Sequence, residues 1–189
     1  MDTTSRAFFD DKYRRDEDPW GFTSEPYELA RYDHLVDLLG DRRFDRGFEP
    51  GCSIGVLTRT LAPRCRRLLA IDISPIAVRR AQQRCSDLPG VEIRTGALPR
   101  DLPDDATDLV VLSEVGYYLT ADVLATTVDA LVDLLPADGV LLGGHWTGSS
   151  PDHLLSGQAV HDIIDAHPGL RLDRHDVGPG YLVGAWRRR

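Results

Sequence analysis

Hydrophobic and polar positions follow two different periods along the chain, and the change from one to the other separates helices from strands. Residues 68–72 and 109–112 are short apolar runs typical of buried strands, whereas residues 124–135 place apolar side chains at helical spacing. From about residue 45 onward the two kinds of segment alternate, which predicts a parallel sheet covered by helices. The predicted strands are 46–49, 68–72, 91–94, 109–112, 140–144, 170–177 and 181–186.

The ends of the predicted elements carry their own signals. Ser74 followed by Pro75 predicts a helix start, because the hydroxyl caps free N–H groups and proline has none to lose. The last two strands are joined by residues 178–180, so short a turn that they must be antiparallel. The core helices are predicted at 56–61, 75–87, from 120 or 122 to 135, and 159–166.

The first 44 residues have a different pattern from the rest. They predict two helices, 3–15 and 25–39, without a strand of their own. We therefore expect one domain, 1–189, in which residues 1–44 form a helical lid and residues 45–189 form the α/β core.

Composition narrows the functional classes. The net charge of −8 argues against a nucleic-acid or anionic-membrane partner, because both need a concentrated positive surface. No apolar run approaches the roughly 18 residues of a membrane span, and no signal-peptide core is present, so we expect a cytoplasmic protein. The cysteines at 52, 65 and 85 form no Cys-x-x-Cys pair, which favours neither a disulfide framework nor zinc.

A glycine turn follows the first predicted strand, where an open parallel sheet binds its ligands. Gly51 and Gly55 would let the backbone approach a ligand closely. Glu49, at the end of that strand, is placed to contact a cationic amino group directly or through water. Asp72 ends the second strand, 23 residues later, and is placed to accept hydrogen bonds from both hydroxyls of a ribose.

A nicotinamide dinucleotide site is the competing interpretation, since it also pairs a glycine turn with an acid about 20 residues later. The dinucleotide spacing Gly-x-Gly-x-x-Gly is not met, because position 53 is serine and position 56 is valine. An acid at position 49 suits a positively charged amine better than a pyrophosphate. The pattern therefore favours S-adenosylmethionine over a dinucleotide.

Residues 49–55 (EPGCSIG) resemble motif I of class I S-adenosylmethionine-dependent methyltransferases, and residues 69–72 resemble their second motif. The resemblance covers about residues 45–186. It implies a Rossmann-like, seven-stranded, mostly parallel sheet of order 3-2-1-4-5-7-6, with strand 7 antiparallel and helices on both faces. It also implies S-adenosyl-L-methionine as methyl donor and S-adenosyl-L-homocysteine as product.

A narrower resemblance lies in residues 18–22 (DPWGF), 112–119 (LSEVGYYL) and 144–146 (GHW), which are similar to the nodulation protein S family. That family methylates the amino nitrogen of a deacetylated chitooligosaccharide. The resemblance implies methyl transfer to a small acceptor, with an amine nitrogen favoured and an amino sugar or oligosaccharide among the candidates.

The cofactor contacts are expected at the strand ends and in the helical lid. Class I enzymes often have an acid after the third strand that contacts adenine, and none stands at the nearest position here, because Asp101 comes a few residues late. We therefore expect the backbone of Ala97 and Leu98 to contact adenine. The full set is Glu49, Gly51, Cys52, Ser53, Gly55, Asp72, Ile73, Ala97, Leu98, Trp20 and Arg31.

The acceptor side is expected after the fourth and fifth strands. Glu114 is a candidate base or ammonium-binding group, and the alternative is a carboxylate that caps the next helix or touches cofactor. His145 is a candidate proton acceptor near neutral pH, and a structural histidine is the alternative. Tyr117, Tyr118 and Trp146 are candidates for an amine- or sugar-binding pocket, with core packing as the competing account.

Two other functions remain open at this point. One is an O-methyltransferase of a small molecule, and the other is a non-catalytic cofactor-binding scaffold or regulatory subunit. No ligand spacing indicates a metal site, and the chain fits a monomer or a homodimer.

Overall fold

A seven-stranded sheet organises the chain, which a computed structural model describes over residues 4–189. The strand order is β3-β2-β1-β4-β5-β7-β6, and β7 runs antiparallel to both of its neighbours, so the predicted topology is confirmed. The strands are β1 (Phe44–Pro50), β2 (Cys65–Asp72), β3 (Val91–Thr95), β4 (Leu109–Ser113), β5 (Val140–Trp146), β6 (Leu170–Gly178) and β7 (Tyr181–Arg188).

Helices cover both faces of this sheet because the central strands are apolar on both faces. In β4, Leu109 and Val111 pack into the hydrophobic cluster on one face, and Val110 and Leu112 pack into the cluster on the other. α2, α3 and α4 lie on the first face, and α5 and α6 lie on the second. The helices are α1 (Arg6–Arg15), α2 (Pro26–Asp37), α3 (Val56–Leu61), α4 (Pro75–Arg84), α5 (Ala121–Leu134) and α6 (Gly157–Asp165).

Several predicted boundaries move by a few residues. The first helix was expected from residue 3, which lies outside the described residues; it begins at Arg6, because the Ser5 side chain accepts a hydrogen bond from the Phe8 N–H. β1 begins at Phe44, so the last residue assigned to the lid belongs to the sheet. None of the described helices is long and apolar enough to cross a membrane.

The carboxyl ends of the parallel strands β1 to β5 meet along one edge of the sheet. The turns that follow β1, β2, β3 and β4 therefore lie side by side at that edge, as expected for an open α/β sheet. α1 packs against α4 beside these turns. The N-terminal segment thus closes the edge where ligands bind in this architecture.

Candidate functional site

A cleft opens at the carboxyl edge of the sheet. It is bounded by the turns after β1 to β4 and by side chains of the N-terminal segment. Most of the residues predicted from sequence line it, namely Glu49, Gly51, Cys52, Ser53, Asp72, Ile73, Ala97, Leu98, Trp20, Glu114, Tyr117 and Tyr118. Gly55, Arg31, His145 and Trp146 are not on its wall.

The two glycines of the turn after β1 have different roles. Gly51 has φ +77°, and a Cβ there would lie 2.1 Å from Cγ2 of Val115 in the neighbouring turn. Gly55 has φ +82°, and its Cβ would lie 3.0 Å from the Cα and Cβ of Ala81 in α4. Gly51 therefore keeps the cleft wall open, whereas Gly55 lets α3 and α4 pack closely behind it. The expected cofactor contact from Gly55 is replaced by this packing role.

Asp72 closes the turn and keeps acceptor capacity for a ligand. Its Oδ2 accepts the Ser53 N–H at 2.9 Å, and its Oδ1 accepts the Ser74 N–H at 2.8 Å. Burial raises the pKa of Asp72 to about 6, against the opposing effect of the two N–H donors. A carboxylate offers about four acceptor positions, so the group can also accept hydroxyl donors from the cleft.

Glu49 is the least satisfied polar group on the cleft wall. It is 2% exposed, and its Oε2 has no hydrogen-bond partner. Burial raises the pKa of Glu49 to about 7. A buried carboxylate without a partner is costly, so its position fits a ligand that brings a cationic group to this end of the cleft.

The turn after β3 differs from the expectation in one contact. Ala97 and Leu98 line the cleft together with Ile73. The Ala97 N–H donates to Oδ2 of Asp101 at 2.9 Å, so this N–H is already used. Asp101, which is not on the cleft wall, therefore shapes the turn from behind. A backbone contact to adenine from this turn has to come from a group other than the Ala97 N–H.

α1 supplies contacts that sequence patterns did not reveal. The Tyr13 hydroxyl donates to Oγ of Ser53 at 2.6 Å, and the Ser74 hydroxyl donates to Oδ1 of Asp10 at 2.5 Å. Both partners of α1 belong to turns that form the cleft. These pairs are 40 and 64 residues apart, so only the docking of α1 brings them together.

Two further contacts hold the N-terminal segment over the mouth of the cleft. The Thr4 N–H donates to the Tyr118 carbonyl at 2.9 Å. Lys12 Nζ lies 2.9 Å from Oδ2 of Asp152, which belongs to the loop after β5. The N-terminal segment is thus tied to the loops after two different strands.

Glu114 is the centre of a buried polar network at the end of β4. Its Oε2 accepts the Tyr117 hydroxyl at 2.5 Å, and its Oε1 accepts the Trp146 N–H at 2.7 Å. Oε1 also forms an ion pair with Arg31, which in turn pairs with Glu28. Burial raises the pKa of Glu114, whereas Arg31, the Tyr117 hydroxyl and the Trp146 N–H act in the opposite direction.

Arg31 and Trp146 reach the site by routes other than those predicted. The Arg31 side chain is 1% exposed and lies behind Glu114, so it is not in the expected position for a direct cofactor contact. Trp146 contributes its backbone N–H to Glu114, while its ring lies edge-on to His153 with centroids 5.9 Å apart. The Trp146 ring is not on the cleft wall, so its contact with an acceptor stays a prediction.

The structure contradicts the expectation that His145 accepts a substrate proton. The side chain is fully buried, and its Nε2 accepts the Gly116 N–H at 3.3 Å. Burial lowers the pKa of His145 well below the ordinary value for histidine. Its ring is near His161 of α6, with centroids 5.3 Å apart, and remains a neutral structural group.

Sequence comparison places the chain in a known family. The sequence profile of nodulation protein S matches residues 8–166. The chain belongs to the nodulation protein S family. Nodulation protein S of Sinorhizobium fredii is 34% identical over 131 residues, which cover 68% of this chain and 60% of that protein. The Rhizobium tropici protein is 30% identical over 131 residues, which cover 68% of this chain and 55% of that protein. The chain therefore spans about three fifths of the length of these curated relatives.

Solved structures agree with this family assignment. The N-methyltransferase NodS from Bradyrhizobium japonicum, in complex with S-adenosyl-L-homocysteine, superposes with a TM-score of 0.85 at 26% identity, covering 98% of this chain and 99% of that one. A putative methyltransferase from Pseudomonas syringae matches with a TM-score of 0.76 at 34% identity, covering 87% and 100%. Fold and family place the chain among the class I S-adenosylmethionine-dependent methyltransferases.

The cleft of this nodulation protein S family member has a consistent chemical character. Glu49, Asp72 and Glu114 contribute carboxylates, and no arginine, lysine or histidine side chain is among the described residues that line it. The remaining wall is rich in rings, from Phe9, Tyr13, Trp20, Phe22, Tyr32, Tyr117 and Tyr118. Within residues 4–189, no cluster of three or more histidine, cysteine or acidic side chains could hold a metal ion.

Proposed function

We propose that this chain is an S-adenosylmethionine-dependent N-methyltransferase that acts on the amine of a small acceptor. The supporting observation is the cleft wall, which combines three carboxylates with aromatic rings and, among the described residues, no basic side chain. Carboxylates and ring faces both favour cationic ligands. A sulfonium, an α-amino group and an acceptor amine all belong to that class, whereas a phosphorylated or carboxylated acceptor does not.

The residues of the cleft fit the parts of the proposed methyl donor. Glu49, with its unpartnered Oε2, would bind the amino group, and Asp72 would accept hydrogen bonds from the ribose. Ile73 and Leu98 would flank the adenine, and Gly51 would leave room for the amino-acid part. When bound, the donor supplies a methyl group on a positively charged sulfur. The other proposed contacts are Cys52, Ser53, Ala97 and Trp20.

On the acceptor side, we propose that Glu114 anchors and orients the amine instead of acting as a base. Both of its oxygens already accept donors from the protein, so the carboxylate is fixed in direction, and these donors offset part of the cost of burying its charge. Tyr117 and Tyr118 complete this part of the wall. Methyl transfer depends mainly on positioning of the reacting atoms. The acceptor nitrogen first loses its proton to solvent, and the neutral amine then donates an N–H hydrogen bond to Glu114 while its lone pair faces the methyl group.

Calorimetry with S-adenosyl-L-homocysteine tests the donor half of the proposal. Transfer of a labelled methyl group tests the acceptor half, with glucosamine, deacetylated chitooligosaccharides and simple amines as acceptors. N-acetylglucosamine is the matched control, because its nitrogen is blocked while the ring is unchanged. We expect binding, and transfer to the free amines only.

Other results would contradict the proposal in distinguishable ways. Transfer to hydroxyl acceptors but not to amines would identify an O-methyltransferase. Binding without transfer to either class would support a scaffold or regulatory role. Absence of binding would remove the donor assignment altogether. Amino sugars lead the panel because the relatives are nodulation proteins, one of them a structurally determined N-methyltransferase.

A further inference from the structure

Arg31 is a buried cation directly behind the proposed acceptor site. Its side chain is 1% exposed, and it belongs to α2, which packs against β5 and β7. The guanidinium forms ion pairs with Glu114 and with Glu28, one turn earlier in the same helix. It does not line the cleft. Its effect on a ligand therefore passes through the cleft-lining side chains that it contacts, namely Glu114 by an ion pair and the Tyr32 ring, whose centroid lies 5.2 Å from the guanidinium carbon.

We propose that Arg31 is a positioning residue that keeps the Glu114 carboxylate ionised and directed toward the acceptor amine. This inference rests on the proposed function, because it assigns Arg31 a task only if Glu114 anchors an amine. The other donors to Glu114, the Tyr117 hydroxyl and the Trp146 N–H, are neutral. They fix the direction of the carboxylate, but a buried anion also needs a compensating positive charge.

The charge balance around Glu114 supports the same role. One positive and two negative groups leave the set of Glu28, Arg31 and Glu114 with a net negative charge. Arg31 therefore keeps Glu114 ionised without making this end of the cleft positive, which would repel a cationic donor and acceptor. The titratable groups that face Glu114 are Arg31, Glu28, Tyr27, Tyr32, Tyr117 and Tyr118.

Substitutions of Arg31 and of Glu28 provide opposite perturbations of the Glu114 pKa. Arg31→Gln removes the compensating charge, so Glu114 should be protonated at a higher pH. Glu28→Gln removes a second carboxylate that repels Glu114 and competes for the guanidinium, so Glu114 should be protonated at a lower pH. A purely structural role of Arg31 would leave the value unmoved in Arg31→Gln.

The pH dependence of kcat/KM for an amine acceptor measures these shifts. We expect the acid limb to rise by about one pH unit or more in Arg31→Gln and to fall in Glu28→Gln. Arg31→Lys should restore much of the wild-type profile, because it returns the charge. Affinity for S-adenosyl-L-homocysteine should stay within about twofold of the wild type, about 0.4 kcal/mol, because Arg31 does not line the cleft. Glu114→Gln should lose the limb that the other variants shift and keep only the limb of the acceptor amine, which is the same for every variant.

The proposal would be overturned if Arg31→Gln lowered kcat/KM by the same factor at every pH and left the acid limb at its wild-type position. If that variant does not fold, Glu28→Gln decides, and an unmoved limb refutes the inference. Infrared titration of protein labelled with ¹³C-glutamate, in complex with S-adenosyl-L-homocysteine, follows the ionisation of Glu114 without turnover. The spectrum of Glu114→Gln is the blank that identifies the Glu114 signal. A protein that methylates no amine would refute the proposed function, while the titration would still decide whether Arg31 controls the ionisation of Glu114.

Discussion

Asp72 gives a sharp test of the site, because burial disfavours the same charge that ligand binding needs. The side chain is 7% exposed, and burial raises its pKa from 3.8 to about 6. The folded protein thus disfavours the ionised form. The contribution of Asp72 to stability is therefore fully present below pH 3.8 and is lost as the pH rises through about 6. At neutral pH the ionised group costs the ligand-free protein about 3 kcal/mol.

Asp72→Asn removes the charge and keeps the shape. As the pH rises from about 4.5 to about 7.5, the free energy of unfolding of the wild type should fall by about 2 kcal/mol relative to that of the variant. This is the part of the total cost of about 3 kcal/mol that develops within this pH range. The variant also loses one backbone hydrogen bond, from Ser53 or Ser74, because an amide nitrogen cannot accept it. That loss of about 1–3 kcal/mol does not depend on pH, so the pH dependence is the informative quantity.

Chemical denaturation across this pH range and calorimetry with S-adenosyl-L-homocysteine are the two assays. Affinity should fall by about tenfold or more, on the order of 1.4 kcal/mol, because charge-assisted hydrogen bonds to the ribose are lost. Asp101→Asn is the matched control: this carboxylate also accepts a backbone N–H, but that contact lowers its pKa, so the pH effect should have the opposite sign. A pH-independent difference for Asp72 would refute the burial argument, and unchanged affinity would refute the ribose assignment.

Three further perturbations test other parts of the structure. Gly51→Ala should weaken S-adenosyl-L-homocysteine binding by about tenfold or more, because the new Cβ would lie 2.1 Å from a valine side chain. Gly40→Ala is the control and should bind normally, because its Cβ would have no atom within 4 Å. Tyr13→Phe removes the hydroxyl that donates to Ser53 and should lower the unfolding free energy by about 1 kcal/mol; an unchanged thermal midpoint would count against this contact. Burial lowers the pKa of His161 to about 4, so its contribution to stability is present above pH 6.5 and is lost as the pH falls toward 4. His161→Phe should therefore lose less stability on acidification than the wild type, and parallel curves would contradict this.

The fold was predictable where each strand is buried on both faces. β4 is an unbroken apolar run, and its bounds differ from the prediction by one residue. β2 was harder, because its first residues include Arg66 and Arg67, which are exposed and interrupt the apolar pattern. Sequence periodicity reports burial and not backbone pairing, so a strand that extends past the helices covering it is underestimated at that end.

The cleft was predictable where the topology alone decides position. Glu49, Asp72 and Glu114 each lie at or just after the end of a parallel strand, and such ends converge on one edge. His145 satisfied the same rule of position. However, successive side chains of a strand point to opposite faces, and that of His145 points toward α6. Position at a strand end therefore identifies the neighbourhood of a side chain but not its direction.

Contacts across the lid could not be predicted from periodicity. Asp10 and Tyr13 bind turns far along the chain, and their partners are fixed only by the angle at which α1 docks. A short-range pattern carries no information about that angle. The Arg31–Glu114 ion pair was missed for the same reason, because it joins α2 to the end of β4.

The ion pair between Lys12 and Asp152 has a practical consequence, because Lys12 is the single lysine of the sequence. An amine-directed dye would have one side-chain target, located on the helix that closes the mouth of the cleft. The side chain is 32% exposed and lies beside Asp152 in the loop after β5, so its rate of labelling would change when α1 leaves its docked position. Labelling at Lys12, separated from that of the α-amino group by peptide mapping, would thus follow the opening of the lid on the native sequence without an introduced cysteine.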